Sequence, residues 1–88
     1  MSSIIKISGI HVGAARKLLR ISQQELATLA GVGEATVKKF EAGLHDPRPA
    51  TRKVIREALE AQGIEFTNGG EPGVKLRPSK ATKPPLHS

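Results

Sequence analysis

Two glycines interrupt an otherwise helical pattern in the middle of this chain. Residues 22–43 read SQQELATLAGVGEATVKKFEAG, with apolar residues at helical spacing on both sides of Gly31 and Gly33. Within one helix the two glycines would cost about 2 kcal/mol relative to alanine, a large penalty for a short chain. We therefore predict a sharp turn between two short helices, because Gly31 can adopt the positive φ that such a turn requires.

Cap residues and apolar spacing predict four short helices. Ser8 is placed to cap the first helix, and Ser22 with Glu25 three residues later forms a capping box for the second. Gly43 and the prolines of LHDPRP end the third helix. The four helices are expected over residues 9–20, 23–30, 34–42 and 49–62, the last opening at Pro49 or Ala50.

The apolar positions of these helices predict the core. The small side chain of Ala27 fits a position at which the third helix is expected to pack across the second. The expected core residues are Val12, Ala15, Leu18 and Leu19 in the first helix; Leu26, Leu29 and Ala30 in the second; Val37 and Phe40 in the third; and Val54, Ile55, Ala58 and Leu59 in the fourth.

The pattern changes after the fourth helix. IEFT and VKLR alternate apolar and polar residues around NGGEPG, so residues 63–77 are expected to contain a β-hairpin. Residues 78–88 have little to bury and are predicted to be a disordered basic tail. Residues 1–8 form an N-terminal arm in which residues 4–7 have the β-branched composition of a short strand.

Charge favours a polyanionic partner. The chain has 14 lysines and arginines against 8 acidic residues, a formal charge of +6 and a pI near 10.2. Nucleic acid is the first candidate, and a basic protein with no such partner is the alternative. Only two aromatic residues are present, both phenylalanine, which argues against a surface that stacks single-stranded bases.

Several function classes have no support in the sequence. The chain has no cysteine, and His11, His45 and His87 lack the spacing of metal ligands, so no metal or cofactor is expected. No nucleophile–base set or phosphate-binding loop is present, which argues against an enzyme. The absence of a long apolar run or a secretory signal predicts a cytoplasmic protein without membrane contact.

The segment also carries a specific motif. It contains Ser-Gln-x-Glu-Leu-Ala, then Ala-Gly-Val-x-x-x-Thr-Val, then Glu-x-Gly, as Ser22, Gln23, Glu25, Leu26 and Ala27; Ala30, Gly31, Val32, Thr36 and Val37; and Glu41 and Gly43. With this motif, residues 9–62 resemble the phage repressor/Cro-like (Xre-type) helix-turn-helix family. The resemblance implies a mainly α fold, a lambda-repressor-like bundle of four to five short helices, followed here by the hairpin. The chain departs from the family at Gly33, where many members have a capping serine, and at Phe40, where the family has an aliphatic residue.

The resemblance implies that the third helix enters the DNA major groove. Base contacts are then expected from Glu34, Ala35, Thr36 and Lys38, and phosphate contacts from Gln23, Lys39, Arg48, Arg52 and Lys53. Simpler roles compete with some of these: Glu34 suits the first turn of any helix, and Lys38 and Arg52 also fit solvated helix faces. One of Arg16, Lys17 and Arg20 is a further candidate for a phosphate contact.

The implied function is a sequence-specific regulator that binds double-stranded DNA, as a dimeric repressor on a palindromic operator. Such a protein would be bacterial or phage-encoded and associated with the nucleoid. An antitoxin or an antagonist of another regulator, which acts on a protein partner, shares the same motif and is the alternative. The hairpin has two interpretations: a lid over the core, or a homodimer interface formed by Ile64, Phe66, Val74 and Leu76.

Overall fold

Four helices precede a two-stranded sheet in the computed structural model, which describes residues 7–67 and 73–76. Each predicted helix is present, with ends that differ from the prediction by no more than one residue. The mainly α bundle with a C-terminal hairpin is therefore confirmed. The elements are α1 (Gly9–Leu19), α2 (Gln23–Ala30), α3 (Glu34–Glu41), α4 (Pro49–Ala61), β1 (Ile64–Thr67) and β2 (Gly73–Leu76).

Both predicted serine caps are present. The Glu25 backbone N–H donates to Ser22 Oγ at 3.0 Å, and the Ser22 N–H donates to Glu25 Oε1 at 2.7 Å, which completes the capping box of α2. At α1 the third helical residue is His11, whose Nδ1 accepts from the Ser8 N–H at 3.1 Å. An imidazole therefore occupies the place usually held by a glutamate.

The turn between α2 and α3 forms at the predicted glycine. Gly31 has φ +73°, and the following Val32 N–H donates to the Ala27 carbonyl at 3.0 Å, which closes α2. Gly33 then begins α3 from an extended conformation without a side-chain cap. Ala27 is 3% exposed, as the close crossing of the two helices requires. The predicted helix–turn–helix geometry is confirmed.

The core lies between the four helices and the inner face of the hairpin. Leu18, Leu29 and Val54 were predicted to be buried and are 44%, 49% and 38% exposed, so those three predictions are wrong. Each precedes another apolar residue, and neighbours on a helix point about 100° apart, so only one of the two can face the core fully. The buried hydrophobic residues that form the core are Ile7, Val12, Ala15, Leu26, Ala27, Val37, Phe40, Ile55, Leu59, Ile64 and Phe66.

The hairpin is a lid over this core. β1 and β2 are antiparallel, with Ile64 opposite Leu76 and Phe66 opposite Val74. Ile64 and Phe66 are only 4% and 7% exposed, because β1 packs on α4 and β2 on α1. Both side chains are thus already buried within one chain, and their assignment to a dimer interface stays a prediction. Of the four candidates, half-buried Val74 and exposed Leu76 keep accessible apolar surface.

Some predicted features lie outside the described residues. These are most of the N-terminal arm, including residues 4–6 of the possible strand; the hairpin turn at residues 68–72; and the basic tail. Ile7, the last residue of the possible strand, is 2% exposed and belongs to the core, without strand pairing.

Candidate nucleic-acid interface

The outer face of α3 carries most of the predicted base-contact residues. Val37 and Phe40 are buried against the other helices, whereas Glu34, Ala35 and Lys38 are exposed. Lys39, a predicted phosphate contact, is exposed as well, and Thr36 is half-buried at the edge of this face. The apolar spacing of α3 therefore holds one side in the core and leaves the opposite side open.

Two of the candidate base contacts pair with each other. Lys38 Nζ lies 3.5 Å from Glu34 Oε2, one helical turn away, and both side chains are roughly half exposed. Exposed ion pairs of this kind contribute about 0–1 kcal/mol to stability. The pair can therefore open at little cost when another hydrogen-bonding partner is present.

A partly buried polar cluster joins α3 to α1 and α2. Arg16 Nε and Nη2 donate to the two carboxylate oxygens of Glu41 at 2.8 and 3.0 Å, and Arg16 Nη1 donates to the Ile21 carbonyl at 3.0 Å. The Arg16 and Glu41 side chains are 16% and 11% exposed. The hydrogen bond that Arg16 donates to Glu41 raises the pKa of Arg16 above its ordinary value, so the guanidinium stays charged.

Gln23 belongs to the same cluster. Its Nε2 donates to Glu41 Oε1 at 3.1 Å, so the amide is held by the protein at the first position of α2. The cluster joins the start of α2 to the end of α3, and so links the two helices of the helix-turn-helix. A phosphate contact by Gln23 stays a prediction, and in this arrangement its amide N–H is already shared with Glu41.

The loop between α3 and α4 is held by Arg52. Its guanidinium pairs with Asp46, and Nη2 donates to the carbonyl of buried Pro47 at 3.1 Å. The Arg52 side chain is 13% exposed, which does not match a solvated helix face, and its phosphate contact stays a prediction. The arrangement instead makes Arg52 a residue that positions the loop, while neighbouring Arg48 and Lys53 are exposed.

Comparison with known families decides between a chance motif and a related protein. A family model described as helix-turn-helix matches residues 12–60, more than half of the chain. The chain belongs to the Xre/Cro-like helix-turn-helix family. The predicted resemblance is thereby confirmed, and the family is one of DNA-binding regulators. No curated protein matches the sequence.

The matched region of this helix-turn-helix protein includes α2, the glycine turn, α3 and the Arg16–Glu41 pair. β1 and β2 lie outside it. Within the described residues, every helix falls short of the length and apolar character needed to cross a membrane.

The Arg16–Glu41–Gln23 cluster and the loop role of Arg52 were missed at the level of sequence. Arg16 and Glu41 are 25 residues apart and belong to different helices, so no local spacing rule connects them. Asp46 lies 6 residues before Arg52. This acidic residue in an otherwise basic loop was the one available signal for an internal partner.

Proposed function

We propose that this protein is a sequence-specific transcriptional regulator that binds double-stranded DNA through α3. The observation that carries the proposal is the outer face of α3, which combines exposed Lys38 and Lys39 with a buried inner face in a helix-turn-helix. An α-helix with its side chains is about 10–12 Å in diameter, which fits the major groove, itself about 12 Å wide.

Base recognition would replace the Glu34–Lys38 pair with contacts to DNA. Lys38 can donate to guanine O6 and N7, and Glu34 can accept from cytosine N4. A site with a guanine and a cytosine within reach of these two side chains satisfies both charges at once. Ala35 can contact a thymine methyl group, and half-buried Thr36 can reach a base or a phosphate at the edge of the helix.

Phosphate contacts would flank the groove. Lys39 is exposed on α3, Arg48 on the following loop and Lys53 near the start of α4. Arg52 keeps this loop in position through Asp46 and Pro47. At the other side, Gln23 and the free N–H groups at the start of α2 would face the backbone. These contacts supply affinity and orientation, while α3 selects the sequence.

We further propose that the protein acts as a dimeric repressor on a palindromic operator. One short recognition helix reads only a few base pairs, and two copies on half-sites about 34 Å apart would give the specificity that regulation needs. Operator occupancy would then exclude polymerase from overlapping DNA. Val74 and Leu76 are the hairpin residues that still have apolar surface to contribute to a subunit contact.

Selection of bound duplexes from a random DNA pool tests the proposal. We expect an enriched inverted repeat, with a guanine in each half-site whose enrichment disappears in the Lys38→Ala variant. Recovery of no preferred sequence would overturn DNA recognition as the function. Enrichment of a single unrepeated half-site, with a monomer bound to it, would overturn the dimeric part alone.

A further inference from the structure

Arg20 has an unusual backbone conformation for its residue type. It is the one non-glycine residue with positive φ among residues 7–67 and 73–76, with φ 60° and ψ 41°. It forms the C-cap of α1, a position that glycine occupies with less steric conflict. Arg20 therefore has a long cationic side chain at a backbone conformation that favours glycine.

The surrounding turn holds this conformation in place. The Arg20 N–H donates to the Lys17 carbonyl at 3.1 Å, and the Ile21 N–H donates to the Arg16 carbonyl at 3.2 Å. Arg16 in turn donates to the Ile21 carbonyl and is anchored by Glu41. The backbone of the turn is thus fixed independently of the Arg20 side chain, which is exposed and forms no ion pair with any residue that the structure describes.

Arg20 also lies beside the proposed interface. It precedes Ser22, the N-cap of α2, by two residues, and Gln23 follows directly. Of the basic residues in this segment, Arg16 already donates to Glu41 and to the Ile21 carbonyl, and its side chain is only 16% exposed. Arg20 is the exposed cation nearest in sequence to the start of α2, the end that we place over the DNA backbone.

We infer that Arg20 contacts a DNA phosphate next to the start of α2 and so extends the interface to the turn between α1 and α2. This inference rests on the proposed function. Arg20 would then increase the affinity for DNA without contributing to sequence specificity, because a phosphate contact is the same at every base pair. The competing role is structural: a basic residue at the end of α1 interacts favourably with the helix dipole.

The Arg20→Gly variant separates the two roles, because glycine relieves the backbone conflict while it removes the charge. We expect a melting temperature no lower than that of the unchanged protein. Affinity for the selected duplex should fall about three- to eightfold at 0.1 M salt, and the slope of log K against log salt should decrease by about one. Arg20→Lys keeps the charge and should bind within about twofold of the unchanged protein.

Lys75→Ala is the matched control for loss of one positive charge. Lys75 is exposed on β2, which packs against α1 and β1. The Lys75→Ala variant should leave the slope of log K against log salt unchanged. Equal affinity and slope for Arg20→Gly and the unchanged protein would overturn the inference, as would an equal loss in Lys75→Ala or a full loss in Arg20→Lys. If the unchanged protein bound no duplex with sequence preference, the proposed function itself would fail, which is a distinct result.

Discussion

Arg16 and Glu41 form a two-point ion pair between α1 and the last residue of α3, with N–O distances of 2.8 and 3.0 Å. Because both side chains are largely buried, removal of either partner leaves an uncompensated charge in the protein interior. The pair therefore holds the C-terminal end of α3 in position against α1.

Loss of one partner should destabilise the protein more than loss of both. We expect Arg16→Met and Glu41→Leu each to lower the free energy of unfolding by about 2–3 kcal/mol. The double variant replaces the pair with apolar side chains and should recover most of that loss. Urea unfolding of the three variants measures this, and additive effects of the two substitutions would contradict a coupled pair.

The close approach of α1 to α3 leaves no space for a side chain at Gly9. A Cβ atom on Gly9 would lie 1.9 Å from the Phe40 carbonyl oxygen, so the two helices would have to separate. Gly9→Ala should therefore reduce the free energy of unfolding by about 2 kcal/mol or more. Gly13→Ala is the control in the same helix: its Cβ would meet Glu41 Oε1 at 3.4 Å, and the gain in helix propensity is about 1 kcal/mol. Thermal melts that show equal effects would refute this packing.

The two glycines of the turn should respond in opposite ways. Gly31 has φ +73°, so Gly31→Ala is expected to cost about 1–2 kcal/mol although the position is open. Gly33 has φ −76°, and its Cβ would meet only Thr36 Oγ1 at 4.0 Å. Gly33→Ser would supply the missing cap of α3 and should stabilise the protein by about 0.5 kcal/mol. Unfolding curves compare the two, and a destabilised Gly33→Ser variant would show that this helix start has been misassigned.

Glu34 and Lys38 should affect DNA selectivity in different directions. Lys38→Ala is expected to lower the affinity for the selected duplex, while the affinity for duplexes that lack the critical guanine stays nearly unchanged. Glu34→Gln keeps the side-chain shape and removes a negative charge from the groove, so general DNA affinity should rise and discrimination should fall. Competition binding with duplexes that differ at single base pairs measures both. Uniform weakening by Lys38→Ala would place this lysine on a phosphate.

Local rules explain what the sequence predicted well. The glycine turn, the Ser22–Glu25 capping box and the helix ends all depend on residues within five positions of one another. Such features follow from backbone geometry and from side chains that reach their own helix start. The family motif added the functional assignment of α3, because it combines these local signals in a fixed order.

Long-range packing explains what could not be predicted. Whether Leu29 or Ala30 faces the core depends on how α2 sits against its neighbours, and the periodicity allowed both. The hairpin pattern fitted both a lid and a dimer interface, and the burial of Phe66 depends on contacts with residues that are distant in the sequence. The ion pair between Arg52 and Asp46 depends on how the loop folds back on α4, which the sequence pattern does not specify.

The central claim is that α3 reads base sequence in duplex DNA. The most direct measurement is the dissociation constant for the selected duplex and for a scrambled duplex of the same length and composition, at one fixed salt concentration. The account predicts binding to the selected duplex that is tighter by about 10³-fold or more, with a tenfold or greater loss of that preference in Lys38→Ala. Equal dissociation constants for the two duplexes would contradict it.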